Sequence, residues 1–257
     1  GLNFIIKEVF MKKILFASLL ISSAVYAEVI AYGPGGPAPV LKELATEFEA
    51  KKGKKVKIVA GPTGQWINQA KADADIIFAG NSSMMDGFIK AFDGNLDVKN
   101  VEVLNIREAG IVVKKGNPKN IKSFKDLLKD NVNVMVVDGA GQVGLYEDMA
   151  LKNGKRKHLL KLRKNIVYYA PNSKMAVDRW NSDDSIDALI IWSHWAKVLG
   201  EDKVDFVQAG KDSIIYRAAE IAVTNSTKNR EDAMEFIKFV QSKDAQKVWK
   251  KWGWEVK

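Results

Sequence analysis

Cysteine is absent from all 257 residues. Its absence excludes disulfides, a thiol nucleophile and thiolate metal sites, and removes the residue that a lipid anchor would need. An exported chain without disulfides must be held together by its core. Histidine is scarce: only His158 and His194 occur. No Ser/His/Asp order and no metal-ligand cluster stands out around them, so no catalytic residue, metal or cofactor is expected. His194, in "WSHWA", reads as a helix-start residue. Long apolar runs are missing as well. The one apolar run near the start, Ile14 to Ile21, is too short for a bilayer. It follows Met11-Lys12-Lys13 and precedes Val25-Tyr26-Ala27, an A-x-A-like site. This is signal-peptide anatomy, with cleavage expected after Ala27 and Gly1 to Phe10 as an upstream extension. The rest is expected to be a soluble periplasmic protein with no membrane anchor.

Acidic residues are outnumbered by basic ones, giving a formal charge of +9. Lys7, Lys12, Lys13 and Glu8 fall in the first 27 residues, which leaves about +7 for the remainder. Such a balance fits either a solvated basic surface or an anionic partner. The densest basic run, "KNGKRKHLLKLRK" (152–164), has leucines at helical spacing and no interleaved aromatics. It reads as an exposed helix face, and no nucleic-acid partner is expected.

Some 230 residues remain for the fold, and within them one pattern recurs: a short β-rich run, a Gly/Pro/Asn/Ser turn, then a helical period. The first case is "EVIAYGPGGPAPVLKELATEFEAKKG". There Val40, Leu44 and Phe48 repeat every four residues, Pro39 suits a first turn and Gly53 a C-cap. The pattern returns at "VKIVAGPTGQWINQAK", "ADIIFAGNSSMMDGFIKAF", "VNVMVVDGAGQVGLYEDMALKNG", "NIVYYAPNSKMAVDRW" and "IDALIIWSHWAKVLG". Such alternation predicts α/β layers on largely parallel sheets covered on both faces. Two runs, "REAGIVVKKGNP" (107–118) and "YRAAEIAVTNS" (216–226), lack a helix-opening loop. They read as strands crossing between two lobes, 28–108 plus 217–257 and 109–216. Near the C-terminus, Asn229 with Asp232 predicts a capping box. Trp249, Trp252 and Trp254 read as packing.

In parallel α/β sheets, ligands sit beyond the carboxyl ends of the strands. The loops 33–37, 61–65, 80–83, 139–142 and 171–173 all fall there, each ahead of a helix whose N-terminus favours anions. The stretch "AYGPGGPAP" (31–39) holds half of the chain's six prolines. It is no Walker A loop, since no Gly-Lys-Ser/Thr follows. "GAGQVG" matches the dinucleotide glycine spacing, but no downstream acid supports that reading. Thr63, Asn81, Ser82, Ser83, Gln142 and Ser173 add side-chain donors. Arg107 and Arg217 could neutralise an anion, or could instead pair with Glu108 and Glu220. Trp66, Trp192, Trp195 and Tyr146 could wall a cleft or pack in a core. Asp138 and Asp178 would repel a fully ionised anion, but could accept a proton from a protonated one or from a ligand ammonium.

The motifs "AYGPGGPAPVLKELATEFEAKKG", "AGPTGQW", "DADIIFAG", "KKGNPKNIKSFKDLL", "VDGAGQVGLYEDMA", "RKNIVYYAPNS" and "SIDALIIW" resemble the accessory colonization factor AcfC family. More broadly the chain is similar to molybdate- and sulfate-type periplasmic solute-binding proteins. The ending "AMEFIKFVQSKDAQKVWKKWGW" looks like their shared signature. The resemblance implies a type II periplasmic binding fold: two α/β lobes, two crossing strands and a ligand cleft between them. It also implies a monomer that captures a small anionic ligand by lobe closure, for an ABC transporter membrane component or a chemoreceptor. Carried over, the oxyanion contacts fall on Gly35 and Gly36, Thr63 and Gly64, Gly141 and Gln142, and Asn172 and Ser173. The relatives carry Ser in the first loop, where this chain has only Gly and Pro. A sulfate-like oxyanion or a small carboxylate is the expected ligand. An adhesin that binds anionic glycans is the alternative, and an enzyme on the same scaffold is disfavoured by the missing nucleophile.

Overall fold

Nine strands build one mixed sheet in the computed structural model, which describes residues 27–257. The signal segment read before Ala27 lies outside the described residues. Across the sheet the order is β2 (Val56–Ala60), β1 (Val29–Gly33), β3 (Ile76–Ala79), β9 (Ile215–Val223), β4 (Val101–Lys114), β7 (Ala188–Trp192), β5 (Val134–Val137) and β6 (Ile166–Ala170). A short strand absent from the sequence reading, β8 (Val204–Val207), pairs with β4 off this path.

β1 pairs in parallel with β2 and β3, and β5 with β6 and β7. Parallel neighbours require crossovers, and helices supply them. In the first half these are α1 (Ala38–Lys52) and α2 (Ile67–Asp73), while α3 (Ser82–Ala91) leads from β3 to β4, across β9 in the sheet. In the second they are α4 (Leu145–Leu151), α5 (Arg156–Asn165) and α6 (Ser173–Ser182), while α7 (His194–Leu199) leads from β7 to β8, which runs antiparallel to β4. Helices α8 (Arg230–Val240) and α9 (Gln246–Lys251) follow β9. The sequence pattern of α1 is realised. Val40, Leu44 and Phe48 are fully buried, and Gly53 ends the helix at φ 67° with its N–H on the Glu49 carbonyl.

The capping box predicted for α8 does not form. Asn229 stands at the N-cap without a side-chain cap bond. Its amide reaches instead toward the buried Asp75 carboxylate, and Asp232 pairs with Lys54 at 2.9 Å. A tertiary carboxylate and a lysine outcompete the local motif.

The all-apolar strands are explained by the two covered sheet faces. In β3, Ile76 and Phe78 join a core with Leu44 of α1 and Phe236 of α8, while Ile77 and Ala79 join another with Met85 and Phe88 of α3. A third core gathers residues from Ala109 to Ala209. β4 runs from one region to the other: Leu104 lies in the first core and Ala109 in the third. β9 returns antiparallel to it, Ile215 packing on the third core and Ala219 within the first. Arg107 and Arg217 face each other in register at this crossing.

Candidate functional site

A cavity of about 230 Å³ lies where the loops after the strands of both halves meet. Its first wall is the turn between β1 and α1. Gly35 and Gly36 line it, and their bareness has a packing reason. A Cβ on Gly35 would meet the Trp195 ring at 3.3 Å, and one on Gly36 would meet His194 Nε2 at 2.9 Å. Both partners come from α7 across the seam, so this loop is where the other lobe seats. Thr63 lines the next wall, together with Pro62.

The facing wall comes from the turns after β5 and β6. Gly141, Gln142, Asn172 and Ser173 all line the cavity. A Cβ on Gly139 would stand 2.2 Å from the Pro171 carbonyl oxygen, so this glycine lets the two turns touch. Gln142 is buried and its Nε2 donates to Ser173 Oγ at 2.6 Å, while its Oε1 has no partner. Because Ser173 accepts here, its own hydroxyl proton is free to point into the cavity. Asn172 caps α6, accepting from the Met175 N–H at 2.9 Å.

The floor is Arg107. The side chain is 1% exposed and lines the cavity beside Trp192. Its guanidinium lies 3.9 Å from the Trp192 ring centre and 4.7 Å from that of Trp254. Nη1 donates to the Arg217 carbonyl at 3.2 Å, and Nε has no acceptor. Among the described residues no carboxylate forms an ion pair with it. Glu108 instead accepts from Gln208 Nε2 at 3.2 Å. Burial, and secondarily the Arg217 charge, push the guanidinium pKa down. Its ordinary value is so high that the group stays charged. The cation–π contacts offset part of the burial cost and leave the donors facing the cavity without a counter-charge.

Four expected site residues do not line the cavity. Gly64 and Ser82 are exposed outside it. Arg217 is turned to the surface and pairs with Asp148 at 2.8 Å. Asn81 is committed elsewhere: its Oδ1 caps α3 by accepting from the Met84 N–H, and its Nδ2 donates to the Gly141 carbonyl at 2.5 Å. That second bond ties the two walls together. Asn81→Ala is expected to cost about 2–4 kcal/mol in urea denaturation, from the lost cap and the stranded carbonyl. Asn172→Ala, which loses a cap alone, should cost about 1 kcal/mol.

Other side chains sort clearly. Trp195 lines the cavity, whereas Trp66 packs against Tyr32 and Phe88, and Tyr146 is buried beside Tyr169. Asp138 and Asp178 are exposed and lie outside the lining. Lys174 at the rim was not singled out from sequence; it lines the cavity while paired with Asp178 at 2.8 Å. Met84, Pro34 and Val177 add apolar wall. His194 is buried behind Gly36 with neither ring nitrogen partnered, and burial, then the Arg107 charge, push its pKa well down. A neutral imidazole walled off from the cavity is poorly placed as a base. Among the described residues no group of three His, Cys, Asp or Glu could hold a metal ion.

Comparison with known proteins agrees with this architecture. The solved structure of PEB3 with L-phospholactate bound is 34% identical, covering 89% of this chain and all of that one, with a TM-score of 0.82. Peb3 from Campylobacter jejuni gives 34% and 0.80. The sulfate-binding protein SubI of Mycobacterium tuberculosis shares the fold at 18% identity, covering 90% of this chain and 87% of its own, with a TM-score of 0.74. YvgL of Bacillus subtilis, named as an ABC transporter substrate-binding lipoprotein, is 27% identical over 199 residues, 76% of this chain and 72% of that protein. The fold is that of the type II periplasmic binding proteins, two α/β lobes joined by crossing strands. The model of the bacterial extracellular solute-binding proteins matches residues 29–255, and the chain belongs to that family.

Proposed function

We propose that this protein captures a small organic anion in the cavity between its lobes and hands it to a membrane transporter or a receptor. One observation carries the reading: Arg107 is a buried cation at the cavity floor with no carboxylate partner. Burying a charge is unfavourable unless it is paired, and an incoming anion would supply the pair. The Ser173 hydroxyl, the Gln142 amide and the backbone of Gly35 and Gly36 offer further polar contacts. The positive ends of α1 and α6 start at the wall and add a favourable field.

The rest of the lining selects the ligand class. Proline, methionine, valine and tryptophan side chains make up much of the wall. A bare sulfate or molybdate would leave oxygens facing carbon, whereas an organic anion puts its carbon body there. L-phospholactate, the ligand in the PEB3 structure, has a phosphate and a carboxylate on a three-carbon body. Lys174 at the rim is placed to meet a second negative group. We therefore favour small phosphorylated or multiply carboxylated acids over the sulfate-like oxyanion.

The reading includes lobes of 28–108 plus 217–257 and of 109–216, periplasmic export and a monomer. Membership of the AcfC branch is proposed from the sequence motifs. Closure would be a population shift toward the form whose two walls both touch the ligand. Thermal unfolding with sulfate, molybdate, phosphate, phospholactate and citrate tests it. At about 100 times Kd, the bound ligand should add about 2.7 kcal/mol of stability. No shift with any anion would sink the proposal, and a response to the inorganic oxyanions alone would sink its organic part.

A further inference from the structure

The basic run 152–164 plays no part in the cavity, and most of it forms α5. His158, Leu159 and Leu162 are the buried side of that helix. Arg156, Lys157, Leu160, Lys161 and Lys164 are exposed, at the spacing of a single helical face. Among the described residues no carboxylate pairs with any of these cations. The sequence explains why: from Asp148 to Asp178 there is no Asp or Glu between. Burial first, and then the charges of Lys155, Lys157, Lys125 and Lys161, lower the pKa of His158, so these lysines gather around one spot. Within the basic stripe stands Leu160, an apolar side chain left 51% exposed.

We infer that this face of α5 docks on an anionic lipid bilayer, with its lysines at the headgroups and Leu160 inserted between them. The charge complementarity is to a surface rather than a point, since the stripe is a row of exposed cations along one helix face. Long lysine stems can lie along the acyl boundary while their ammonium groups stay wet. Leucine decides between occupants: a hydrated polyanion gives it nothing to pack on, whereas the headgroup boundary does. The contact is peripheral and reversible, and would hold the cavity close to the membrane.

Flotation of the whole protein with vesicles tests this. Neutral phosphatidylcholine vesicles are compared with vesicles rich in anionic phosphatidylglycerol. Binding is expected only to the anionic vesicles and should vanish at high salt as the charges are screened. Each lysine near such a surface contributes about fivefold. The triple variant Lys157→Glu, Lys161→Glu, Lys164→Glu should therefore bind about a hundredfold less. Leu160→Ser should weaken binding about fivefold at unchanged charge. Equal binding to neutral vesicles, or none at low salt, overturns the inference. So does a Leu160→Ser variant that binds as well as wild type while dextran sulfate competes fully, which would mark a polyanion site. The wild-type salt and lipid series stands even if a variant fails to fold.

Discussion

Arg107→Met is expected to weaken anion binding by about thirtyfold or more, yet leave the ligand-free protein as stable as before or more so. The first half follows from removing one partner of a desolvated charge pair, which costs about 2–5 kcal/mol in binding. The second half has the opposite sign because the empty protein holds an unpaired charge. Only one carbonyl acceptor and two tryptophan faces compensate that guanidinium. Methionine fills much the same space and needs no counter-ion, and replacing buried charges by apolar groups is often neutral or stabilising. Arg107→Lys should fall between, keeping the charge but losing the planar fork and its stacking. Isothermal titration with the best ligand from the panel, alongside urea denaturation of the empty protein, reads both halves. Retained affinity in the methionine variant would remove Arg107 from the site. Lost stability with retained affinity would mark it as a structural element of the crossing.

Arg107 was legible because it stands just ahead of the apolar run Ala109–Val113, in a strand that opens no helix. What it does not pair with was not legible, since Glu108, its neighbour in sequence, points toward Gln208. The strand ends and their glycine turns could be read because two-sided burial writes itself as short apolar runs. The roles of the loop side chains could not. Asn81 and Asn172 look alike in sequence, and both cap helices, but only Asn81 also reaches the opposite wall. The bareness of "GPGGP" suggested backbone N–H groups for an anion. The structure adds a second reason, the close seating of Trp195 and His194 against Gly35 and Gly36. Lys174 was passed over because a lysine in a first helical turn carries no signal of its own. Trp254 reads as packing and is packed, but its route to the core is not written in its spacing from Trp249. The helix α9 ends at Lys251, and a turn through Gly253 carries Trp254 back onto the core, its N–H on the Trp249 carbonyl at 3.0 Å.

That turn makes Trp254 a second test of the site, and Trp254→Ala is expected to cost about 3–5 kcal/mol of stability. The ring is 3% exposed and touches both halves of the molecule at once. It covers one face of the Arg107 guanidinium and stacks on His194, with centroids 4.9 Å apart and planes 15° apart. His194 belongs to α7, whose start also bonds to this turn through Ser193 Oγ and the Gly253 carbonyl at 3.2 Å. Truncation therefore loosens the seam as well as the core. A second effect should follow in binding, because a guanidinium free on one face loses its fixed aim at the ligand. Phe124→Ala separates the two effects. Phe124 is equally buried in the third core, and among the described residues its ring meets neither Arg107 nor His194, so it should lose comparable stability and keep its affinity. If both variants bind the ligand as wild type does, Trp254 is packing alone. If only Trp254→Ala loses affinity while still folded, the aromatic clamp on Arg107 is part of how this protein holds its anion.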